Sequence, residues 1–172
     1  QDHWCAEIIH PGVGAFGQAI SCLHQSGLAA SLNERREDGA HILGICLGMQ
    51  ALLTDSEEND NTQGLGIVSG HVVHFPDALR DSHGNKLKIP HMGWNQVHHE
   101  SEHPIWKDIA QDARFYFVHS YYAPVCEYTI GTCSYISPFS AALNKNNFYA
   151  TQFHPEKSSE IGLKILQNFL EL

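Results

Sequence analysis

The hydrophobic pattern of the first third of the chain predicts alternating strands and helices. Ala6–His10 and His41–Ile45 are short apolar runs without polar alternation, as in strands buried on both faces of a sheet. Phe16–Gly39 has helical spacing with a break near Ser26-Gly27, and a further helix is predicted to start over Met49–Leu53. This strand–helix–strand–helix order is the signature of a parallel α/β sheet.

The remainder of the chain is predicted to be mostly β structure, with a closing helix over Ser158–Leu170 whose apolar positions recur at helical spacing. The polar run Asn144–Asn147 predicts a hairpin loop between the last two strands. We therefore expect one α/β domain over residues 1–172, in which a mostly parallel central sheet carries an antiparallel portion. The predicted strands of this part are Gly64–Phe75, Lys86–Val97, Arg114–Ser120, Tyr128–Tyr135, Phe139–Leu143 and Phe148–Phe153.

Composition and charge exclude several classes of partner. The 172 residues are 42% hydrophobic and 17% charged, which is a globular composition. Ten basic against nineteen acidic residues give a net charge of -9, which argues against binding nucleic acid or a membrane surface. No apolar run approaches the ~18 residues of a membrane span. Five cysteines are sparse and odd in number, which favours reduced thiols and a cytoplasmic location.

The pentapeptide Gly44-Ile45-Cys46-Leu47-Gly48 carries the clearest chemical signal. A buried strand that runs through G-x-C-x-G into a helix has the form of a nucleophile elbow, which exposes one side chain at the sheet edge. The helix N-terminus is expected to favour the thiolate of Cys46, and the N–H of Leu47 is placed to help form an oxyanion hole. The other cysteines lack this context and are expected to be ordinary thiols: Cys5, Cys22, Cys126 and Cys133.

A nucleophilic cysteine needs a base, and the base needs an orienting group. The segment Gln152–Glu156 offers both, because His154 precedes a proline and is therefore extended, so that His154 and Glu156 point to the same side. Alone, H-P-E also fits a surface loop. Together with the elbow it completes a Cys46, His154, Glu156 triad.

The segment His99–His103 satisfies the H-E-x-x-H pattern of zinc proteases, but Pro104 disfavours the single helix that this chemistry needs. We therefore predict a polar loop here, no metal site and no cofactor. Most of the thirteen histidines are expected at the surface.

With these motifs in place, the chain resembles the class I (triad-type) glutamine amidotransferases, and more narrowly the glutaminase subunits of imidazole glycerol phosphate synthases. The segments that carry the resemblance fall in the family's order and cover nearly the whole chain. They are Pro11–Gly17, Gly44–Gln50, His91–Asn95, Phe117–Tyr121 and Gln152–Ser158. The resemblance implies a flavodoxin-like α/β fold. The family's opening strand, glycine-rich turn and first helix have no counterpart, so the chain is expected to lack the first strand and helix.

The resemblance also implies an activity and a set of site residues. Cys46 would attack the side-chain amide of L-glutamine, His154 would transfer the proton, and Glu156 would hold the imidazole. The oxyanion would be held by backbone N–H groups of Leu47 and of Val13 or Gly14. The residues expected to bind substrate are Gln50, Glu58, Ser120, Tyr121 and Gly12. For Glu58, a solvated acid in the run Asp55–Asp60 is an equally weighted alternative.

The family's ammonia passes to a cyclase partner with a (β/α)₈ barrel, with which the chain would form a heterodimer in histidine biosynthesis. The residues that match positions near this interface are His91, Trp94, Asn95 and Lys157, with a core aromatic as the alternative for Trp94. Two other functions stay open. One is a paralogous amidotransferase that feeds a different acceptor enzyme, for example in amidation of a surface-polysaccharide sugar. The other is a non-catalytic or proteolytic relative on the same fold.

Overall fold

A computed structural model describes residues 7–172, so Ala6, Cys5 and Gln1 lie outside the described residues. The helices are α1 (Phe16–Gln25), α2 (Leu28–Glu37), α3 (Leu47–Ala51), the short α4 (Glu58–Asn61) and α5 (Ser159–Leu170). The strands are β1 (Glu7–Gly12), β2 (His41–Cys46), β3 (Leu53–Ser56), β4 (Thr62–Gln63), β5 (Val68–His74), β6 (His91–Gln96), β7 (His98–His99), β8 (Arg114–His119), β9 (Tyr121–Tyr122), β10 (Thr129–Tyr135), β11 (Ser137–Lys145) and β12 (Phe148–Thr151).

The main sheet is mixed, with strand order β1-β2-β12-β11-β10-β7. Strands β1, β2 and β12 run parallel, and the remaining neighbours are antiparallel. A second sheet has the order β4-β3-β5-β9, and β6 pairs with β8 as a separate ribbon. The predicted combination of a parallel sheet with an antiparallel portion is confirmed.

The core lies on both faces of the main sheet, and β2 contributes side chains to both faces. Ile42 belongs to the hydrophobic cluster under α1 and α2, which includes Phe16, whereas Leu43 belongs to the cluster on the other face, which includes Phe117 and Phe169. A strand buried on both faces has no polar side to alternate with. This explains the continuous apolar run from which β2 was predicted.

The predicted boundaries of four elements were wrong. Strand β1 continues through Pro11 to Gly12, which is possible because β1 lies at the sheet edge and Pro11 needs no partner for its missing N–H. The helix after the elbow begins at Leu47 rather than Met49, and it ends at Ala51 because Leu53 opens β3. The predicted strands over residues 64–75 and 86–97 are extended only at Val68–His74 and His91–Gln96.

The break near Ser26-Gly27 is confirmed, since Gly27 has a φ of 75° between α1 and α2. The hairpin loop is shortened to Asn146-Asn147, since β11 extends to Lys145. Among residues 7–172, none of the helices combines the length and the apolar character that crossing a bilayer would require.

Candidate active site

The carboxyl ends of the three parallel strands bring the sequence-predicted triad to one edge of the main sheet. Cys46 is the last residue of β2, and His154 follows β12, which pairs with β2 in parallel. Gly12 ends β1 opposite Cys46. Ligands of open α/β sheets bind outside these carboxyl ends. The fold therefore gathers residues that lie more than a hundred positions apart in the chain.

Cys46 occupies the strained turn that the G-x-C-x-G pattern predicts. Its φ of 52° and ψ of -109° lie outside the ordinary regions for a residue with a side chain, which costs of order 1–3 kcal/mol. The turn needs glycine at both flanking positions: a Cβ at Gly44 would lie 2.7 Å from the carbonyl oxygen of Gly48, and a Cβ at Gly48 would overlap the carbonyl oxygen of His10. The two glycines thus let β1 and α3 approach the elbow closely.

The Cys46 thiol is buried, with 9% of the residue exposed. Burial raises the pKa of this thiol to about 11, and the negative charge of Glu156 adds to the rise. The Leu47 N–H, the charge of Lys157 and the Gln152 side chain each lower it, the last through an N–H that donates to Sγ at 3.6 Å. The helix end thus favours the thiolate, as predicted, although the net effect of the surroundings on the thiol is the opposite. The Leu47 N–H acts in the predicted direction, but desolvation is the larger effect, and α3 has only five residues.

His154 is held in one tautomer by Glu156. Its Nδ1–H donates to Oε1 of Glu156 at 2.6 Å, while its backbone N–H donates to the carbonyl of Tyr116 and its carbonyl accepts from the hydroxyl of Ser158. The residue is 2% exposed, and among residues 7–172 no hydrogen-bond partner is found for its buried Nε2. Nε2 is thus an acceptor without a donor, which is the state that a general base requires.

A cavity of about 370 Å³ joins these groups to most of the other predicted residues. Gly12 is not among them, because it lines a neighbouring cavity of about 500 Å³ with Pro11 and Gly48. Ser120 and Tyr121 form part of the wall, as does Pro90. The predicted site residues on this one cavity are Val13, Gly14, Cys46, Leu47, Gln50, Glu58, Ser120, Tyr121, His154 and Lys157.

Gln50 is buried, and its amide nitrogen donates to the carbonyl of Tyr121 and to Oε1 of Gln152, each at 3.0 Å. Gln152 in turn donates to the Cys46 thiol. The sequence reasoning did not single out Gln152. The signal was present for Gln152 and His154, since residues two apart in an extended segment share a side. The same argument was wrong for Glu156, which lies in the 3₁₀ turn Pro155–Lys157 and reaches Nδ1 of His154 from there.

Glu58 lies in the cavity wall, half-buried, within the acidic run. The neighbouring acids have other contacts: Asp55 pairs with His71 at 2.6 Å, and Glu57 accepts from the backbone N–H of His74. After Glu58 the backbone turns sharply through residues 59–61, all with positive φ. This placement favours a binding role over the solvated alternative.

The residues expected near a partner separate into two groups. Trp94 is 47% exposed on β6, so the core alternative for this aromatic was wrong. Asn95 is partly exposed beside it, and Lys157 reaches the cavity. His91 is only 4% exposed and points inward, so its side chain cannot contact a docked protein.

The H-E-x-x-H segment is not a helix. His99 ends β7 and its ring stacks on Trp106 at 4.3 Å, whereas His103 precedes the 3₁₀ turn Pro104–Trp106. Residues 7–172 contain no group of three side chains arranged to hold a metal ion. Most of the twelve described histidines lie at the surface, as predicted: His91, His119 and His154 are buried, five others are partly exposed and four are exposed. These four are His24, His71, His83 and His98.

Comparison with known proteins gives consistent matches. The family model for class I glutamine amidotransferases matches residues 6–172. Imidazole glycerol phosphate synthase subunit HisH of Acinetobacter baylyi is 46% identical over 168 residues, which are 96% of this chain and 78% of that protein. The HisH subunit of Geobacter sulfurreducens is 47% identical, again over 96% of this chain and 80% of its own length.

Solved structures agree in fold. A glutamine amidotransferase crystal structure superposes with a TM-score of 0.68 at 16% identity, covering 96% of this chain and 78% of its own. PurLQS from Thermotoga maritima gives a TM-score of 0.66 at 18% identity, covering 99% and 81%.

Proposed function

This chain belongs to the class I glutamine amidotransferases and, among them, to the HisH subunits of imidazole glycerol phosphate synthase, and from that membership we propose that it hydrolyses L-glutamine to glutamate and ammonia for a cyclase subunit in histidine biosynthesis. One observation carries the assignment of the site. Cys46, in its strained elbow, shares a cavity with His154, whose Nε2 is buried without a donor and whose Nδ1–H is fixed by Glu156.

The first half of the reaction transfers one proton. As Sγ of Cys46 bonds to the amide carbon of glutamine, its proton passes to Nε2 of His154. The C–N bond then breaks, the nitrogen takes that proton and leaves as ammonia, and a glutamyl thioester remains. Burial raises the pKa of the thiol to about 11, so the thiol depends on His154 to take its proton.

The second half reverses these roles. Water gives a proton to Nε2 of His154 while its oxygen bonds to the thioester carbon, and Sγ leaves and regains the proton as glutamate is released. In both halves the oxyanion is held by the N–H of Leu47 and by one from Val13 or Gly14. Each such donor contributes about 10²–10³ in rate. Gln50, Ser120, Tyr121 and the carboxylate of Glu58 surround the substrate, Glu58 accepting from its α-ammonium.

We propose that the partner docks over Trp94, Asn95 and Lys157 and is a cyclase with a (β/α)₈ barrel. The exposed indole of Trp94 supports this, because large aromatics are enriched in protein interfaces. His91 is left out of this surface because its side chain is buried.

Residues 7–172 would act as one domain, since β2 contributes to both core clusters. The unpaired thiols of those residues support a cytoplasmic location.

The test is glutamine hydrolysis by the full chain, with and without a purified cyclase subunit and its nucleotide ligand. Cys46→Ala should abolish turnover, whereas Cys22→Ala, at an exposed thiol, should leave it unchanged. Wild-type turnover by Cys46→Ala would overturn the mechanism. Stimulation by a barrel protein that amidates another acceptor, and not by the histidine-pathway cyclase, would overturn the proposed partner.

A further inference from the structure

Two buried histidines lie side by side next to the active-site cavity, and the mechanism does not use them. His91 on β6 and His119 on β8 stand directly opposite each other in the ribbon. They are 4% and 6% exposed, and Nδ1 of His91 lies 3.0 Å from Nε2 of His119. Their rings are packed against Phe75 and Phe139, so they interact in apolar surroundings.

The hydrogen bonds of this pair can run in only one direction. Nδ1 of His119 lies 2.8 Å from the carbonyl oxygen of Tyr121 and must donate to it, which leaves Nε2 of His119 as an acceptor. Nδ1 of His91 must therefore donate to His119, and Nε2 of His91 accepts from the amide of Asn95 at 3.2 Å. The Asn95 amide is itself oriented, since its oxygen accepts from the N–H of Gln96 and its nitrogen donates to the carbonyl of Ser134.

Both rings are neutral near pH 7, as this order of donors requires. Desolvation lowers the pKa of His91 to about 4 and that of His119 to about 3. The carbonyl oxygen of Tyr121, which accepts from His119, also accepts from the amide of Gln50.

From Tyr121 the connection reaches the nucleophile. The Gln50 amide that donates to the Tyr121 carbonyl also donates to Gln152, and Gln152 donates to Sγ of Cys46. One carbonyl oxygen thus fixes the orientation of two side-chain amides, and the second of these lowers the pKa of the thiol.

We propose that His91 and His119 are positioning residues, which hold the Tyr121 carbonyl and through it the Gln50 and Gln152 amides against the Cys46 thiol. This series of hydrogen bonds begins at Asn95 on strand β6. A displacement of β6 would therefore change the hydrogen bond that Gln152 donates to Cys46. The kinetic part of this inference rests on the proposed glutaminase function. The expected effect on the reactivity of the Cys46 thiol does not depend on that function.

Two substitutions of His91 separate hydrogen bonding from packing. His91→Phe keeps a ring among the aromatic neighbours but removes the donor to His119. His91→Asn packs poorly but keeps an N–H near the position of Nδ1. A purely structural role predicts that Phe is tolerated better than Asn, in activity as in thermal stability. A positioning role predicts that the order of activity is the reverse of the order of stability.

The first measurement is alkylation of Cys46 by iodoacetamide in the isolated chain at pH 8, followed by mass spectrometry. We expect His91→Phe to slow labelling about tenfold, because the Gln152 amide is then no longer held in place to donate to the thiolate, and losing that hydrogen bond raises the thiol pKa. His91→Asn should stay within about twofold of wild type by the same reasoning. The matched control is His99→Phe, which keeps its stack on Trp106 outside the site and should change nothing.

The second measurement is kcat and KM for glutamine with the cyclase subunit present. His91→Phe should lower kcat with little change in KM, and His91→Asn should restore it. If His91→Phe does not fold, His119→Asn, which keeps a donor to Tyr121, should label like wild type while His119→Leu labels slowly. Unchanged labelling in His91→Phe, or in His119→Leu, overturns the proposal. Absence of glutamine hydrolysis in wild type would instead refute the proposed function, and labelling would still decide the positioning role.

Discussion

We predict that the Cys46 thiol is protonated in the empty site, which is contrary to the usual expectation for a nucleophilic cysteine. With a pKa of about 11, about one thiol in a thousand is ionised at pH 8, and the fraction changes tenfold per pH unit. A free thiol with a pKa of about 8.5 is about one quarter ionised at that pH. Cys46 should therefore react with iodoacetamide about 20 to 200 times more slowly than such a free thiol. The smaller factor takes into account that a more basic thiolate is also more nucleophilic.

The assay is labelling without glutamine between pH 6 and 10, with the peptides that contain Cys46 and the exposed Cys22 quantified in the same digest. Labelling of Cys46 should rise about tenfold per pH unit throughout, since the thiolate is the reactive form and its pKa lies above the range. Glu156→Gln supplies the perturbation. The charge of Glu156 raises the thiol pKa, so its removal should speed labelling.

The same substitution should slow glutamine turnover by about 10²–10⁴, because His154 loses the carboxylate that fixes its tautomer at 2.6 Å. Faster labelling with slower turnover is the signature of a neutral resting thiol. A labelling rate that is flat below pH 8 would refute the reasoning, since it would mean that Cys46 rests as a thiolate paired with a protonated His154.

Two further predictions concern the elbow and the substrate. Gly48→Ala should lower the free energy of unfolding, measured by urea titration, by about 3 kcal/mol, because the added Cβ overlaps the His10 carbonyl. The control is Gly84→Ala, where φ is 82° but the space is open, and it should lower the free energy of unfolding by about 1 kcal/mol. Equal losses would contradict the tight packing at the elbow. Glu58→Gln should raise KM for glutamine about tenfold with kcat nearly unchanged, because Glu58 lies in the cavity wall. The control Glu57→Gln should leave KM unaltered. A loss confined to kcat would show that Glu58 does not bind the α-ammonium group of glutamine.

The sequence was sufficient where local pattern and tertiary environment agree. The unbroken apolar run of β2, the glycines around Cys46 and the helical spacing of α5 each predicted the observed element, because burial on these segments follows directly from their position in the sheet or helix. Boundaries failed where long-range contacts decide. Nothing local in Met49–Leu53 shows that Leu53 begins a strand paired with Val68.

At the site, sequence identified which residues meet but not their electrostatic state. The helix end beside Cys46 was visible in the sequence, whereas the desolvation that outweighs it depends on the packing of the whole cavity. The burial of His91 was hidden for the same reason. Its strand alternates, with Met92 and Trp94 outward, and only the aromatic cluster beneath β6 makes the inward side a place for a neutral imidazole.

The buried, protonated state of Cys46 also bears on how the protein withstands oxidants. Peroxide attacks thiolates and spares thiols, and the sulfinic and sulfonic products are irreversible in most proteins. A nucleophile that is mostly protonated while the site is empty reacts more slowly with oxidants between turnovers. The same desolvation that makes Cys46 depend on His154 for every attack thus protects it from sulfenic acid formation while the site is empty.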